Sequence, residues 1–176
     1  MRNALQLLTQ YAAYHRDRRN IATHFVGVPL IVFAVGVLLA GVTFVVNGFA
    51  ITAAWLVFVP VALWYLSRGL VLGLATSAVV ALLLALAHPA AAGSTASWLG
   101  FGVGGFVVGW VIQFVGHYWE GRKPAFVDDL VGLLVGPMFV VAEWLFALGW
   151  NRPLQQAIEA EVGPTTIRDL TQPASP

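Results

Sequence analysis

The chain has 176 residues, 59% hydrophobic and 10% charged, with a net charge of +1. A soluble domain carries about 25% charged residues, so this composition excludes a solvated globule, and the small basic excess gives no case for nucleic-acid binding. Cysteine is absent, which excludes disulfides and thiolate metal sites, and the mean hydropathy of +0.82 predicts an all-α polytopic integral membrane protein.

Residues 4–18 read as a short amphipathic helix, with Leu5, Leu8 and Ala12 on one side, Tyr11 and Tyr14 flanking. Arg16, Arg18 and Arg19 then form a basic collar. Charge follows the weak apolar stretch instead of preceding a long one, so this is no signal peptide, and such a helix is expected to lie on a membrane surface. Five apolar spans are expected at about 25–46, 50–66, 69–87, 98–116 and 130–150, each near the roughly 20 residues a bilayer needs. Between them stand the turn signals Asn47-Gly48 and Ser67-Arg68-Gly69, a small-residue loop from His88-Pro89 to Ser97, and a charged connection from Glu120 to Asp129.

The fourth span contains Gly100-x3-Gly104 and Gly105-x3-Gly109, spacings that let helices approach closely in lipid. Pro29, Pro60 and Pro137 are expected to kink their spans, and Gly136-Pro137 offers a break in the fifth. Residues 1–150 read as one membrane-embedded domain, and 151–176 as a polar, partly disordered tail. With five spans the N-terminal face holds Arg2, Arg16, Arg18, Arg19, Arg68, Arg122 and Lys123, against Arg152 and Arg168 opposite. That bias places the N-terminus in the cytoplasm.

The polar residues set against this background are few. In one continuous helix His15 and His24 would point to opposite sides, since nine steps of 100° make half a turn. They converge only if the chain breaks between them, and Asn20 is the expected cap of the next helix. Downstream, Gln113, His117 and Glu120 are spaced i, i+4 and i+7 on one helical face. Three histidines and a carboxylate at one membrane depth could build an iron site, and a facial triad needs only two histidines and one carboxylate. Gln113, one turn deeper, could orient a ligand or meet a substrate. Against this stands a plainer reading, in which interfacial histidines bind headgroups and Glu120 pairs with Arg122 or Lys123. His88, on the other face, reads as structural. Glu143 is a carboxylate inside the fifth span, either functional or neutralised by a partner or a proton. Asp128 and Asp129 are expected to cap that span.

Two patterns, His15-x4-Asn20-x3-His24-x2-Gly27-x-Pro29-Leu30 and Gln113-Phe114-x2-His117-x2-Glu120-Gly121-Arg122-x-Pro124-Ala125, resemble the 2-hydroxy-fatty-acid dioxygenase family over roughly residues 10 to 150. Members of that family act in converting phytosphingosine to odd-numbered fatty acids. The resemblance implies an Fe(II)-dependent membrane enzyme that uses O2 for α-oxidation of a 2-hydroxy long-chain fatty acid, releasing the acid one carbon shorter. It places the family's histidines on His15, His24 and His117; Glu120 as a fourth ligand is added from spacing alone. Arg122, Lys123 or an N-terminal arginine would hold the substrate carboxylate, Gln113 would meet the substrate, and the apolar spans would cradle the acyl chain among membrane lipids. Asn20 and Glu143 are expected in supporting roles. The expected setting is a bacterial inner membrane with the site on the cytoplasmic side, and a homo-oligomer is open. The competing readings are a non-enzymatic lipid-binding or scaffold protein and a zinc-dependent lipid hydrolase. A haem carrier using His24 and His117 lacks a second, deeper histidine pair, and a histidine-box diiron enzyme needs more histidines than four.

Overall fold

A computed structural model describes residues 2–171 as a mostly helical chain. Helix α1 (Ala4–Ala12) begins at Asn3 in a capping box: the Asn3 side chain accepts from the Gln6 N–H, and the Gln6 side chain accepts from the Asn3 N–H. It stops well short of the expected residue 18. Residues 13–17 form a turn, and α2 (Arg18–Ala40) follows. The residue capping α2 is Asp17, whose Oδ1 accepts from the Arg19 N–H at 2.8 Å. Aspartate caps as well as asparagine and stands three residues earlier, so Asn20 falls inside the helix with its side chain released for other use.

The first expected span ends early, and the fold is not purely α. Strands β1 (Thr43–Val46) and β2 (Phe49–Thr52) form an antiparallel hairpin after α2. Asn47 and Gly48 both take positive φ, +51° and +82°. That is the tight two-residue turn whose twist suits a hairpin, and the β-branched and aromatic residues around it favour strands. Hydropathy alone cannot distinguish this stretch from the end of a helix.

Helix α3 (Ala53–Leu66) and helix α4 (Leu70–Ala91) come next. Helix α4 runs through His88 and Pro89, because the alanines after them sustain a helix, so the expected loop is reduced to a short connection. Helix α5 (Thr95–Leu99) passes through a π-helical turn at Gly100–Gly104 into α6 (Gly105–Glu120). Helix α7 (Gly132–Ala147) and helix α8 (Arg152–Val162) complete the described chain.

Three helical stretches are long and apolar enough to cross a membrane: Arg18–Ala40, Leu70–Ala91 and Thr95–Glu120. Helix α3 is apolar but shorter, at 14 residues. At the expected fifth span, α7 bends by 116° into α8, a pair that together has the length and apolar character of one broken span or a re-entrant loop. The bend is not at Gly136-Pro137, which α7 runs through. It lies beyond Leu148, where Gly149 and Asn151 both take positive φ, and Asn151 caps α8 by accepting from the Leu154 N–H. Much of the tail expected to be disordered is therefore α8 and the extended stretch after it; its last residues, 172–176, lie outside the described part.

Contacts group the chain into two compact units, Met1–Val26 with Val111–Pro176 and Gly27–Trp110. Within Gly27–Trp110, a Cβ at Gly105 would meet Ala34 at 3.3 Å, and one at Gly109 would meet Ile31 at 2.6 Å and the Gly27 carbonyl at 3.2 Å. Gly100 and Gly104 meet nothing within 4 Å. Of the two expected packing pairs, only Gly105-x3-Gly109 packs. In the other unit α1 packs against α7 and α8. Its buried face is Leu7, Leu8, Tyr11 and Ala12, rotated from the expected Leu5–Leu8–Ala12 side by the demands of two neighbours.

Candidate metal centre

Three elements of one compact unit bring three imidazoles together. His15 stands on the 13–17 turn, His24 in the second turn of α2, and His117 near the end of α6. They are 0%, 2% and 6% exposed. One ligand atom from each lies within 4.8 Å of the others. The break between α1 and α2 is what allows this, since it turns His15 back toward the helix that carries His24.

Hydrogen bonds assign the protonated nitrogen in two of the rings. His15 Nδ1 lies 2.7 Å from the Tyr11 carbonyl and His24 Nδ1 2.8 Å from the Asn20 carbonyl. A carbonyl only accepts, so both Nδ1 atoms are the donors. Both Nε2 atoms are then lone pairs, yet they face each other at 2.9 Å. Burial holds the His15 imidazole well below the usual histidine range, with His24 and His117 adding to the effect, so a proton does not bridge the pair near neutral pH. Two lone pairs this close repel unless a cation lies between them. Ligating histidines in metal sites commonly have their second nitrogen anchored in this way, to a carbonyl or carboxylate.

The rings are held from several sides. Tyr11 stacks on His15, with centroids 4.2 Å apart and planes 5° from parallel. Phe139 of α7 lies 5.4 Å from the His15 ring and 5.0 Å from Tyr11. His117 stands 5.0 and 5.3 Å from the other two rings. Gly116 makes the approach of α6 possible, because a Cβ there would collide with Thr23 Oγ1 and Asn20 Oδ1. Neutral imidazoles without thiolates suit iron, zinc or copper, and the donor set fits a divalent transition metal.

Glu120 is not brought to the imidazole nitrogens. Its Oε1 accepts from the Arg16 N–H at 2.8 Å, and its Oε2 from the Asp17 N–H at 2.8 Å and Asn20 Nδ2 at 3.0 Å. It ties the turn carrying His15 to the end of the helix carrying His117, and does not pair with Arg122 or Lys123. Asn20 thus serves twice, through its carbonyl to His24 and its amide to Glu120. Gln113 is buried one helical turn from His117, and its Oε1 has no partner. Arg122 donates to the Ala13 carbonyl at 2.7 Å. Lys123 is exposed and paired with Asp128, which also accepts from Tyr14; of the two expected caps of α7, only Asp129 accepts from the helix start, at the Val131 N–H. Glu143 is half-buried on α7 and its field reaches Arg16, apart from the three rings. His88 lies in the other unit.

Two contributors carry no sequence signal beyond their apolar character, Tyr11 and Phe139. A third, the stretch 163–168, was hidden by its polar composition.

Residues 1–148 match the family described as Mpo1-like, 2-hydroxy-palmitic acid dioxygenase Mpo1-like. The chain is also 33% identical over 156 residues to the 2-hydroxy-palmitic acid dioxygenase MPO1 of Saccharomyces cerevisiae, covering 86% of this chain and 85% of the yeast protein. No solved structure matches. The histidine patterns at both ends of the matched region, and a match spanning most of both proteins, make this chain a member of the Mpo1-like 2-hydroxy fatty acid dioxygenase family.

Proposed function

We propose that the chain is an Fe(II)-dependent membrane dioxygenase that shortens 2-hydroxy fatty acids by one carbon. The observation that carries this is the buried cluster of His15, His24 and His117, one ligand atom of each within 4.8 Å of the others. The name of the yeast relative supplies the substrate class, a 2-hydroxy fatty acid. His15, His24 and His117 would hold the metal; bound there, iron would supply the redox chemistry that couples O2 to cleavage of the C1–C2 bond. The reaction balances without an outside reductant: the 2-hydroxy acid plus O2 gives the acid one carbon shorter, CO2 and water.

The chain's own residues hold and shield. The carbonyls of Tyr11 and Asn20 keep His15 and His24 in the tautomer that offers Nε2. Tyr11 and Phe139 cover the His15 ring and exclude water. Gln113 Oε1 would accept a hydrogen bond from the substrate's 2-hydroxyl. Arg122, just beyond α6, would draw the carboxylate toward headgroup depth, whereas Lys123 is paired with Asp128.

The assay uses purified protein loaded anaerobically with Fe(II) and given 2-hydroxypalmitate, then O2. Mass spectrometry is expected to find the 15-carbon acid in wild type and none in His117→Ala. Metal-loaded wild type that turns over no 2-hydroxy acid of any chain length would sink the reading.

A further inference from the structure

We propose that the stretch from Gly163 to Arg168 is a positioning strap for His15, with Thr166 at its centre. The inference rests on the reading of the three imidazoles as a metal site. His24 and His117 stand on helices, whose own hydrogen bonds fix the backbone. His15 stands on the 13–17 turn, and a ligand on a turn is only as well placed as its supports.

The polar groups of that turn can be accounted for one by one. The His15 N–H donates to the Ala12 carbonyl at 2.9 Å. The Ala13 and Tyr14 carbonyls accept from Arg122 and Asn20. The Arg16 and Asp17 N–H groups donate to Glu120. The Ala13 and Tyr14 N–H groups donate to the Thr9 and Tyr11 carbonyls, the His15 carbonyl accepts from Arg16 Nε and the Asp17 carbonyl from the Ile21 N–H. That leaves the Arg16 carbonyl and the Arg18 N–H, with Asp17 Oδ2 shared between Arg19 Nη2 and one further donor. All three meet the strap. The Thr166 N–H donates to the Arg16 carbonyl at 2.8 Å, and the Arg18 N–H donates to the Thr166 carbonyl at 2.9 Å, a single parallel bridge between Asp17 and Thr166. The Arg168 N–H donates to Asp17 Oδ2 at 2.8 Å.

Two side chains close the clasp from the opposite direction. Arg16 Nη1 donates to the Gly163 carbonyl, and Arg19 Nη2 to the Arg168 carbonyl, each at 2.8 Å. Gly163, at φ +82°, turns the chain out of α8 into the strap. The strap lies wholly beyond residues 1–148, the part that the family describes. This chain therefore fixes one of its three imidazoles with a segment outside the residues that match the family. Removing the strap leaves every imidazole and every helix in place and releases only the turn beneath His15.

Co(II) binding to the purified full-length protein in detergent tests this, followed by the metal's visible absorption. The comparison variants are a chain ending at Val162 and Thr166→Pro, which removes the bridging N–H. Hydrogen exchange of the Arg18 amide and helical circular dichroism are recorded on the same samples. The strap predicts a loss of Co(II) affinity of about tenfold or more, the range seen when ligand supports are removed. It also predicts a changed absorption band, faster Arg18 exchange and unchanged helicity. Wild-type affinity and spectrum in both variants overturn the proposal. Should the shortened chain fail to fold, Thr166→Pro decides by the same readouts. Should wild type itself bind no Co(II), the metal reading fails separately. Arg18 exchange then decides the strap: acceleration confined to residues 15–19 upholds the fixing of the turn, and unchanged exchange overturns it.

Discussion

At the scale of single residues, the site depends on imidazoles that stay neutral where free histidine does not. His15 is the clearest case, since burial depresses its protonation. The sign follows directly. An unfolded chain takes a proton at His15 near pH 6.5 and the folded chain does not, so the contribution of His15 to stability is full above that pH and fades as the pH falls through it. Metal binding follows the same direction, because a ligand that is already neutral releases no proton. Three unshifted histidines would weaken a metal site about fiftyfold between pH 7.5 and 6.0, by protonation at their ordinary pKa. With His15 exempt, the measured loss in Co(II) affinity is expected to fall at least about fourfold short of that. A loss of the full size would mean that His15 titrates like a surface residue. Sequence spacing already pointed to the three histidines, because imidazoles are scarce here and sit at the ends of apolar runs. It could not place Glu120. A carboxylate three residues after a histidine reads equally as a ligand or as a staple, and the N–H groups that decide it lie 104 and 103 positions away.

At the scale of elements, the centre exists because α6 lies against the first turns of α2. Gly116 sets that distance, since any Cβ would strike Thr23 and Asn20, and Asn20 also orients His24 and holds Glu120. Gly116→Ala is therefore expected to push α6 away from α2, at a cost of about 1–3 kcal/mol from overpacking. Co(II) affinity should fall with it, while Gly104→Ala, which meets open space, should leave both unchanged. Equal behaviour of the two variants in thermal unfolding and metal titration would show that Gly116 is not a contact point. The element boundaries were legible where chemistry is local. The start expected at residue 4 is where α1 begins, and Asn47-Gly48 announces a turn. They were misread where hydropathy does not distinguish one element from another, or where a distant partner decides. The hairpin at 43–52 is as apolar as a span, and the 163–168 stretch is as polar as a loose tail. Its order comes from Arg16, Asp17 and Arg18, far away in sequence.

At the scale of the whole molecule, the strap also bears on how the chain would sit in a membrane. Helix α8 packs on α1, and Thr166 pairs with Arg16 and Arg18, so both ends of the described chain lie together. An odd number of crossings would separate them. Four crossings, by α2, α3, α4 and α5 with α6, would keep them on one face, with α7 and α8 folded back against α1, and that is the topology expected here. Helix α3, at 14 residues, rises only about 21 Å, and the extended β2 before it would supply the remaining depth. Under this arrangement all nine Lys and Arg residues fall on the same side as the N-terminus, including Arg152 and Arg168, which five crossings leave opposite. Basic residues accumulate on the cytoplasmic side, so the metal centre would open there. Because the chain has no cysteine, single cysteines report position cleanly. Ser67→Cys and Gln156→Cys are expected to react with a membrane-impermeant maleimide only after the membrane is opened, and Ser94→Cys in intact cells. Labelling of Gln156→Cys from outside would restore a fifth crossing, and it would require the strap to leave the turn that it holds.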